Sequence, residues 1–187
     1  MTPANLQSLA RRECLGFWLA ANGLLGQGAE IGCAAGEFSS LVLSQWPGER
    51  LYMVDPWASQ DKEIYREATN QQADFEKWHA ACVELANLHP AARLVRSLSV
   101  EATKQIDDRS LDWVYVDANH SSRSVMEDLD AWWPKLRHRG LLGGHDFCNR
   151  KDDGWFCEVE DAVKRWTGEH GLSYTVTPCT SWWVIKP

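Results

Sequence analysis

Short apolar runs alternate with longer stretches of helical spacing along most of the chain, which is the pattern of strands that alternate with helices. The runs predicted as strands are 29–31, 50–56, 92–97, 111–116 and 140–147. The stretches predicted as helices are 6–21, a segment beginning near Phe38, 58–89 as one long or two shorter helices, 100–106, a segment beginning at Ser121, and a segment from 156 to 166. Two further runs, on either side of 178–180, are close enough in sequence to form an antiparallel hairpin.

Five strand-then-helix units in succession require a mainly parallel sheet with helices on both faces. We therefore predict a Rossmann-like α/β fold, doubly wound around a mainly parallel seven-stranded sheet that ends in a C-terminal antiparallel hairpin. A length of 187 residues suits one domain with a sizeable core. In this single domain, 1–28 form an N-terminal helical segment and 29–187 form the ligand-binding core.

Polar residues or glycines stand at the ends of all five predicted strands. They are Glu30 and Gly32, Asp55, Ser97, Asp117 and His120, and His145 and Asp146. The carboxyl ends of parallel strands lie at one edge of the sheet, and ligands bind there in folds of this class. The sequence therefore predicts a single cleft lined by these side chains.

The loop after the first strand carries two glycines in the stretch A-E-I-G-C-A-A-G-E-F. Because Gly32 and Gly36 lack a Cβ, the backbone can turn sharply and a ligand can lie against it, beside the unpaired N–H groups of the next helix. Asp55 follows the second strand, nineteen positions after Gly36. One carboxylate placed there can accept bonds from both hydroxyls of a ribose, although Asp55 could instead cap the turn ahead of Pro56.

The same loop argues against a dehydrogenase. A dinucleotide-binding G-x-G-x-x-G motif would need glycine at 34 and 37, where Ala34 and Glu37 stand. After the third strand, Ser97 or Ser99 can bond to the edge of a base, although Ser99 can equally cap the next helix.

The composition excludes several classes of protein. A net charge of −7 and an isoelectric point near 5.3 argue against a general affinity for nucleic acid. No apolar run approaches the roughly 20 residues of a membrane span, and residues 1–13 lack the pattern of a signal peptide. Six cysteines without a C-x-x-C pair indicate neither a zinc ribbon nor a disulfide framework, so a cytoplasmic protein is expected. Most of the eleven tryptophans are expected in the core, although those at 132–133, 155 and 182–183 could wall a pocket.

The order of these motifs resembles that of class I S-adenosylmethionine-dependent methyltransferases. The resemblance covers the chain from Ala29 onward, and E-I-G-C-A-A-G-E-F-S, V-D-P-W, Y-V-D-A-N-H and L-L-G-G-H-D-F look like the small-molecule O-methyltransferase branch. It implies that S-adenosyl-L-methionine is the cofactor. The cofactor-binding residues that it implies are Glu30, Gly32, Ala34 and Gly36 for the methionine and ribose portion, Asp55 for the ribose hydroxyls, Pro56, Trp57, Ser97 and Ser99 on the adenine side, and Asp117.

By the same resemblance, His120 and Asp117 are the expected catalytic residues. Asp117 and Asp146 occupy the places of carboxylates that bind a divalent ion in metal-dependent O-methyltransferases, with His145 or Asn149 as a further ligand. Phe147 stands where that family often adds an oxygen ligand, and a nitrogen ligand favours a transition metal over Mg²⁺. His120 stands where the branch places a catalytic base, and an imidazole can take a hydroxyl proton near neutral pH. Asp117 and His120 could also simply cap the next helix.

The sequence thus predicts an S-adenosyl-L-methionine-dependent methyltransferase that acts on a hydroxyl of a small molecule, with assistance from a divalent metal ion left open. The expected partners are that acceptor and a second copy of the chain in a homodimer, with no nucleic acid and no membrane. Two other classes stay open. One is a protein that binds S-adenosylmethionine or S-adenosylhomocysteine without chemistry, and the other is a metal hydrolase built on 117, 120, 145 and 146. Such a hydrolase would leave Glu30 and Asp55 without a role.

Overall fold

The computed structural model describes residues 6–61, 65, 72–152 and 155–187. Its main sheet has seven strands, which are β1 (Gln27–Ile31), β2 (Arg50–Asp55), β3 (Ala92–Arg96), β4 (Leu111–Val116), β5 (Leu136–Gly144), β8 (Thr175–Thr177) and β9 (Ser181–Ile185). The strand order is β3-β2-β1-β4-β5-β9-β8. The first five strands are parallel, and β9 pairs antiparallel with both β5 and β8. The predicted mainly parallel seven-stranded sheet with its terminal hairpin is confirmed.

Six α-helices in the described residues surround this sheet. They are α1 (Leu15–Ala21), α2 (Glu37–Gln45), α3 (Gln72–Leu88), α4 (Ser99–Ala102), α5 (Ser122–Trp132) and α6 (Val159–Glu169). Alternate strand positions point to opposite faces of the sheet. Ile31, Val54 and Val114 therefore share one apolar cluster with α4, α5 and α6. Met53 and Tyr115 share the other with α1, α2 and α3, so helices cover both faces as predicted.

The N-terminal segment differs from the prediction of one helix over 6–21. It forms two short 3-10 turns, Leu6–Ser8 and Arg12–Cys14, before α1 begins at Leu15. Arg11, between the two turns, has an extended backbone with φ −152° and ψ 150°. This break directs Arg12 toward the end of β4, where it forms an ion pair.

Other helices and strands also differ in their bounds from those predicted. In the stretch predicted as helical over 58–89, α3 forms the C-terminal part, whereas 58–61 and 65 are not helical, and residues 62–64 and 66–71 lie outside the described residues. The predicted helix at 100–106 is α4 followed by a 3-10 turn at Thr103–Gln105. A second, two-stranded sheet of β6 (Asn149–Asp152) and β7 (Trp155–Glu158) was not predicted, because N-R-K-D lacks the apolar alternation that indicates a strand.

The tryptophans proposed as pocket walls are core residues where the structure describes them. Trp132, Trp182 and Trp183 are each at most 1% exposed and belong to the two apolar clusters. Trp133 is partly buried against the same core, and the side chain at 155 lies outside the described residues. None of the described helices is long and apolar enough to cross a membrane.

Candidate functional site

Gly32 joins the loop after β1 to the loop after β4. Its φ is +86°, and a Cβ added there would lie 2.1 Å from the backbone oxygen of Asp117. The Gly32 N–H bonds to the oxygen of Val54 at 2.8 Å, and the Asp117 N–H bonds to the oxygen of Ile31 at 2.8 Å. The absence of a side chain at Gly32 therefore allows the backbone after β1 to lie against the backbone after β4. It also leaves room for a ligand beside the loop.

Gly36 precedes α2 with φ +79°. A Cβ at this position would approach Cys82 and Met53 at 3.0 and 3.3 Å, so the glycine lets α2 and α3 pack closely behind the loop. Gly36 is buried and does not line the cavity described below. Its contribution to cofactor binding would act through the path of the loop.

The Asp55 carboxylate is fixed by the backbone of two loops. Its Oδ2 accepts from the N–H of Ala34 at 3.0 Å, and its Oδ1 accepts from the N–H of Trp57 at 2.8 Å. Burial raises the pKa of Asp55, and the two backbone bonds counteract this only in part. Since a carboxylate has about four acceptor positions, Asp55 keeps capacity for further donors on the side that lines the cavity.

Trp57 supports the loops from behind. It is fully buried, donates from Nε1 to the oxygen of Ala34 at 2.8 Å, and packs against His79 with ring centroids 4.9 Å apart. It does not line the cavity but holds Ala34, which does, and the contact expected on the adenine side stays a prediction. Pro56, its neighbour, does line the cavity.

Glu30 points away from the cavity because alternate positions of β1 face opposite sides of the sheet. It is 3% exposed, and its Oε2 accepts from the hydroxyl of Ser39 on α2. Burial, with smaller contributions from the charges of Asp117 and Asp55, raises the pKa of Glu30 to about 8. Glu30 is therefore a buried carboxyl group that is mostly protonated at neutral pH, and the cofactor contact expected for it stays a prediction.

A cavity of about 340 Å³ opens at the carboxyl ends of the parallel strands. This volume lies in the range typical of small-molecule sites. The predicted site residues that line it are Gly32, Ala34, Asp55, Pro56, Ser97, Ser99 and Asp117. Asn119 and two acids of α5, Glu127 and Asp128, also line it.

Asp128 was missed by the sequence reasoning, although a signal was present. It lies on the buried face of α5 together with Val125, Leu129 and Trp132. An acid on an apolar helix face needs a partner or a ligand, because an unpaired buried charge is costly. Such a position could have been singled out from the helical spacing alone.

A cluster of ionisable side chains adjoins the cavity at the ends of β4 and β5. His120 Nε2 lies 3.0 Å from Asp146 Oδ2 and 3.8 Å from Asp117 Oδ1. His145 Nδ1 lies 3.1 Å from the other oxygen of Asp146. Asp117 belongs both to this cluster and to the wall of the cavity, so the two are continuous.

Arg12 is the second residue that the sequence reasoning missed. Its Nη1 donates to Asp117 Oδ2 at 3.0 Å, and its guanidinium lies over the ring of Phe38 at 5.5 Å from the centroid. Arg12 and Asp117 are 105 positions apart in the sequence. No local motif connects them, and only the path of the N-terminal turns brings them together.

Asp146 is held in the ionised form. Burial alone would raise the pKa of Asp146, but hydrogen bonds from His120 and His145 outweigh it and hold the pKa well below its usual range. Asp146 itself has a left-handed backbone with φ +51°. The loop of His120 is tied to β7, because the N–H of Glu158 bonds to the oxygen of His120 at 2.8 Å.

The cluster meets only part of what a divalent cation needs. One ligand atom each from Asp117, His120 and Asp146 lies within 4.8 Å of the others, which is close enough to surround an ion. However, Asp117 is already neutralised by the guanidinium of Arg12, and both oxygens of Asp146 face imidazole nitrogens. His145 is outside the three-residue group, and the ligand role expected for it stays a prediction. The three residues could therefore surround an ion only if Asp117 shared its charge between that ion and Arg12.

Comparisons with known proteins agree with this geometry. Residues 29–147 match the family model described as a methyltransferase domain. A curated relative, the uncharacterized protein y4gI of Sinorhizobium fredii (strain NBRC 101917 / NGR234), is 38% identical over 55 residues. That match covers 29% of this chain and only 6% of the relative's length.

Solved structures show the same fold at low identity. A protein from Staphylococcus aureus, proposed to be a caffeoyl-CoA O-methyltransferase, has a TM-score of 0.66 at 16% identity over 100% of this chain and 93% of that one. An O-methyltransferase from Bacillus cereus in complex with S-adenosylhomocysteine has a TM-score of 0.62 at 15% identity over 94% and 80%. A protein from Clostridium thermocellum, proposed to be an rRNA methylase, has a TM-score of 0.62 at 16% identity over 100% and 96%.

The family match covers more than half of the chain and includes both the cavity loops and the whole strand-end cluster. The solved structures have the sheet and the helices in the same arrangement. The chain therefore belongs to the class I S-adenosylmethionine-dependent methyltransferase family.

Proposed function

We propose that this methyltransferase acts on a hydroxyl group of a small molecule and that His120 takes the proton of that hydroxyl. The observation that carries the proposal is the contact of His120 with the ionised Asp146, in a cluster that shares Asp117 with the cavity. The O-methyltransferases among the similar structures support a hydroxyl acceptor.

The cavity residues suit the adenosyl cofactor. Asp55, with acceptor positions left over from its two backbone bonds, would accept from the ribose hydroxyls. Gly32 and Ala34 present backbone beside it, and Asp117 lies between this part of the cavity and the cluster. When bound, S-adenosyl-L-methionine supplies a methyl group on a positively charged sulfur, which a hydroxyl oxygen attacks in one displacement.

Asp146 orients the base. The ionised Asp146 carboxylate lies 3.0 Å from Nε2 of His120 and so holds the ring beside the cavity wall that Asp117 forms. The imidazole of His120 takes the hydroxyl proton as the oxygen attacks. The positive charge that develops on the ring is stabilised by Asp146 and, at 3.8 Å, by Asp117.

Arg12 keeps Asp117 in place through their ion pair. A cation bound by Asp117, His120 and Asp146 is the other way to lower the pKa of the acceptor hydroxyl, and it would require Arg12 to release or share Asp117. We propose the version without a metal, because proton transfer uses the contacts that are already made.

The proposed location, domain organisation and oligomeric state are those expected from the sequence. All six cysteines are free thiols, which supports a reducing, cytoplasmic location. The organisation of the chain as a single domain is likewise a proposal. The homodimer expected from the sequence stays a prediction.

The test is a transfer assay with methyl-labelled S-adenosyl-L-methionine, in which caffeate, catechol, a reducing sugar and ribosomal RNA are offered as acceptors. We expect label in a small hydroxyl compound, unchanged activity with a chelator, and S-adenosylhomocysteine binding by calorimetry. Label in RNA would contradict the proposed acceptor, and loss of activity with chelator would contradict the metal-free step. Binding of S-adenosylhomocysteine without transfer to any of these acceptors would favour the non-catalytic binding protein.

A further inference from the structure

Asp128 is a buried acid that the transfer step described above does not use. It is 5% exposed, lies six positions after the first residue of α5, and lines the cavity. At about 1.5 Å per residue, this places Asp128 roughly 9 Å along the helix from its start. A carboxyl group at such a depth needs hydrogen-bond donors around it.

One donor is supplied by a short relay. Trp132 Nε1 donates to Ser99 Oγ at 2.9 Å. Because an indole N–H can only donate, the Ser99 hydroxyl keeps its own hydrogen for another acceptor, and that acceptor is the side chain of Asp128. The relay therefore fixes one side of the carboxyl group and leaves acceptor positions for a ligand.

No cation is among the groups that shift the pKa of Asp128. Burial raises this pKa to about 7, the hydrogen bond from Ser99 lowers it, and the neighbouring charge of Glu127 raises it. The carboxyl group is therefore not the partner of an Arg or Lys in the described part of the chain. A donor from a bound molecule would complete its hydrogen bonding.

The order of the strands indicates which end of a ligand reaches Asp128. Asp55 marks the ribose position at the end of β2, and the transfer chemistry lies at the ends of β4 and β5. The remaining end of an adenosyl compound must point away from that cluster, toward the loop after β3 and the wall formed by α4 and α5. Ser99 and Asp128 line that part of the cavity. This step rests on the proposed function, since it places the adenosyl cofactor in the cavity.

We infer that Asp128, oriented by Ser99 and Trp132, accepts a hydrogen bond from the 6-amino group of the cofactor's adenine and selects 6-amino purines over 6-oxo purines. An oxygen at position 6 would place its lone pairs against those of the carboxyl group. The site then pays the cost of an unmade bond to a buried acceptor.

The experiment is calorimetry with S-adenosylhomocysteine and its 6-oxo analogue, S-inosylhomocysteine, at pH 8. At that pH the carboxyl group of Asp128 is mostly ionised and can only accept. We expect the unmodified protein to bind the adenosyl compound at least about tenfold more tightly. In Asp128→Asn the two affinities should lie within about threefold, because an amide can turn either its NH₂ or its oxygen toward the base.

Asp130→Asn is the matched control. It makes the same change two residues along α5, where the carboxylate accepts from Trp166 Nε1 at 2.7 Å and does not line the cavity. The preference for the adenosyl compound should be unchanged in this variant. Should Asp128→Asn fail to fold by circular dichroism, Ser99→Ala removes the relay instead and should also lower the preference.

Three results would overturn the inference while leaving the proposed function intact. These are equal binding of the two compounds by the unmodified protein, a full preference retained in both Asp128→Asn and Ser99→Ala, and an equal loss of preference in Asp130→Asn. Absence of S-adenosylhomocysteine binding in the unmodified protein is a different result, since it contradicts the proposed function itself and the inference with it.

Discussion

Two aspartates at the same edge of the sheet have opposite surroundings. Asp55, at the end of β2, accepts from the backbone N–H groups of Ala34 and Trp57. Asp146, just after β5, faces the imidazole rings of His120 and His145. Burial raises the pKa of Asp55, whereas in Asp146 the bonds from the two rings outweigh burial and lower the pKa.

The difference shows that the partners of a carboxylate decide its role, even where its place in the fold is similar. Backbone N–H groups do not ionise at ordinary pH, so Asp55 offers a fixed set of acceptor positions for ligand hydroxyls. Imidazoles do exchange protons, so Asp146 can hold a base and stabilise the charge that it acquires. We therefore expect substitutions on the cavity side to change binding and those on the cluster side to change turnover.

The largest effect is expected from His120→Gln. With the acceptor identified in the transfer assay, kcat should fall by roughly 10² to 10⁴ near neutral pH, because the hydroxyl proton loses its acceptor. The loss should shrink at high pH, where the hydroxyl ionises without help. The affinity for S-adenosylhomocysteine, measured by calorimetry, should stay within about threefold.

His89→Gln is the control for this prediction, since His89 lies at the end of α3 and does not line the cavity. A His120→Gln variant with kcat within about threefold of the unmodified enzyme would remove His120 from the mechanism. A loss that is constant with pH would indicate a structural role instead.

Gly32→Ala tests the contact between the loop after β1, which borders the cavity, and the loop after β4, which carries Asp117. The added Cβ would lie 2.1 Å from the Asp117 oxygen at a φ of +86°, so we expect a loss of about 3 kcal/mol in the free energy of unfolding. Gly23→Ala is the matched control, because Gly23 has φ +71° with no atom within 4 Å of the added Cβ. It should cost only about 1 kcal/mol, the strain of the backbone alone.

Urea unfolding of both variants measures the two costs. Equal losses would show that the loops after β1 and β4 can separate freely. In that case the cavity and the cluster are joined less tightly than the contact of Gly32 with Asp117 indicates.

Asp55→Ala should reduce the affinity for S-adenosylhomocysteine by at least about tenfold, since hydrogen bonds to a buried charged group are lost. Asp146→Asn is the opposite case and should leave that affinity within about threefold while lowering turnover. Calorimetry on the two variants tests the division directly. A loss of affinity in Asp146→Asn as large as that in Asp55→Ala would contradict the division between binding and proton transfer.

The sequence predicted those parts of the site that depend on a pattern of neighbouring residues. An apolar run followed by an acid is visible in the residues, so Asp55, Asp117 and Asp146 could all be placed at strand ends before the fold was known. The alternation along β1 also implied that Glu30 and Ile31 face opposite sides of the sheet. The cofactor role expected for Glu30 came from the family resemblance instead, and it stays a prediction.

Other features depend on contacts between distant segments. Arg12 reaches Asp117 only because the N-terminal turns break where a helix was predicted. The need for glycine at 32 comes from the backbone of Asp117, which no local motif shows. His145 was expected in a ligand set with Asp117, but backbone direction after β5 turns it to the opposite oxygen of Asp146.

An effect on stability alone, without a change in turnover or binding, concerns Glu30, the protonated carboxyl behind the cavity. Its pKa is about 8 in the folded chain against 4.5 for an ordinary glutamate, so between these values the folded state holds a proton that the unfolded state has lost. The stability from this group is fully present below about pH 4.5 and is lost as pH rises through about 8. One such group changes the free energy of unfolding by up to about 1.4 kcal/mol per pH unit.

Glu30→Gln keeps the neutral form at every pH and so removes this dependence. Urea unfolding at pH 6 and pH 8 should therefore show a smaller decrease in stability for the variant than for the unmodified protein. The lowered pKa of Asp146 has the opposite sign, because its contribution is lost only as pH falls into the acid range. An identical decrease in the two proteins would mean that Glu30 is ionised when the chain is folded. A buried negative charge would then stand behind the cavity with the hydroxyl of Ser39 as its hydrogen-bond donor.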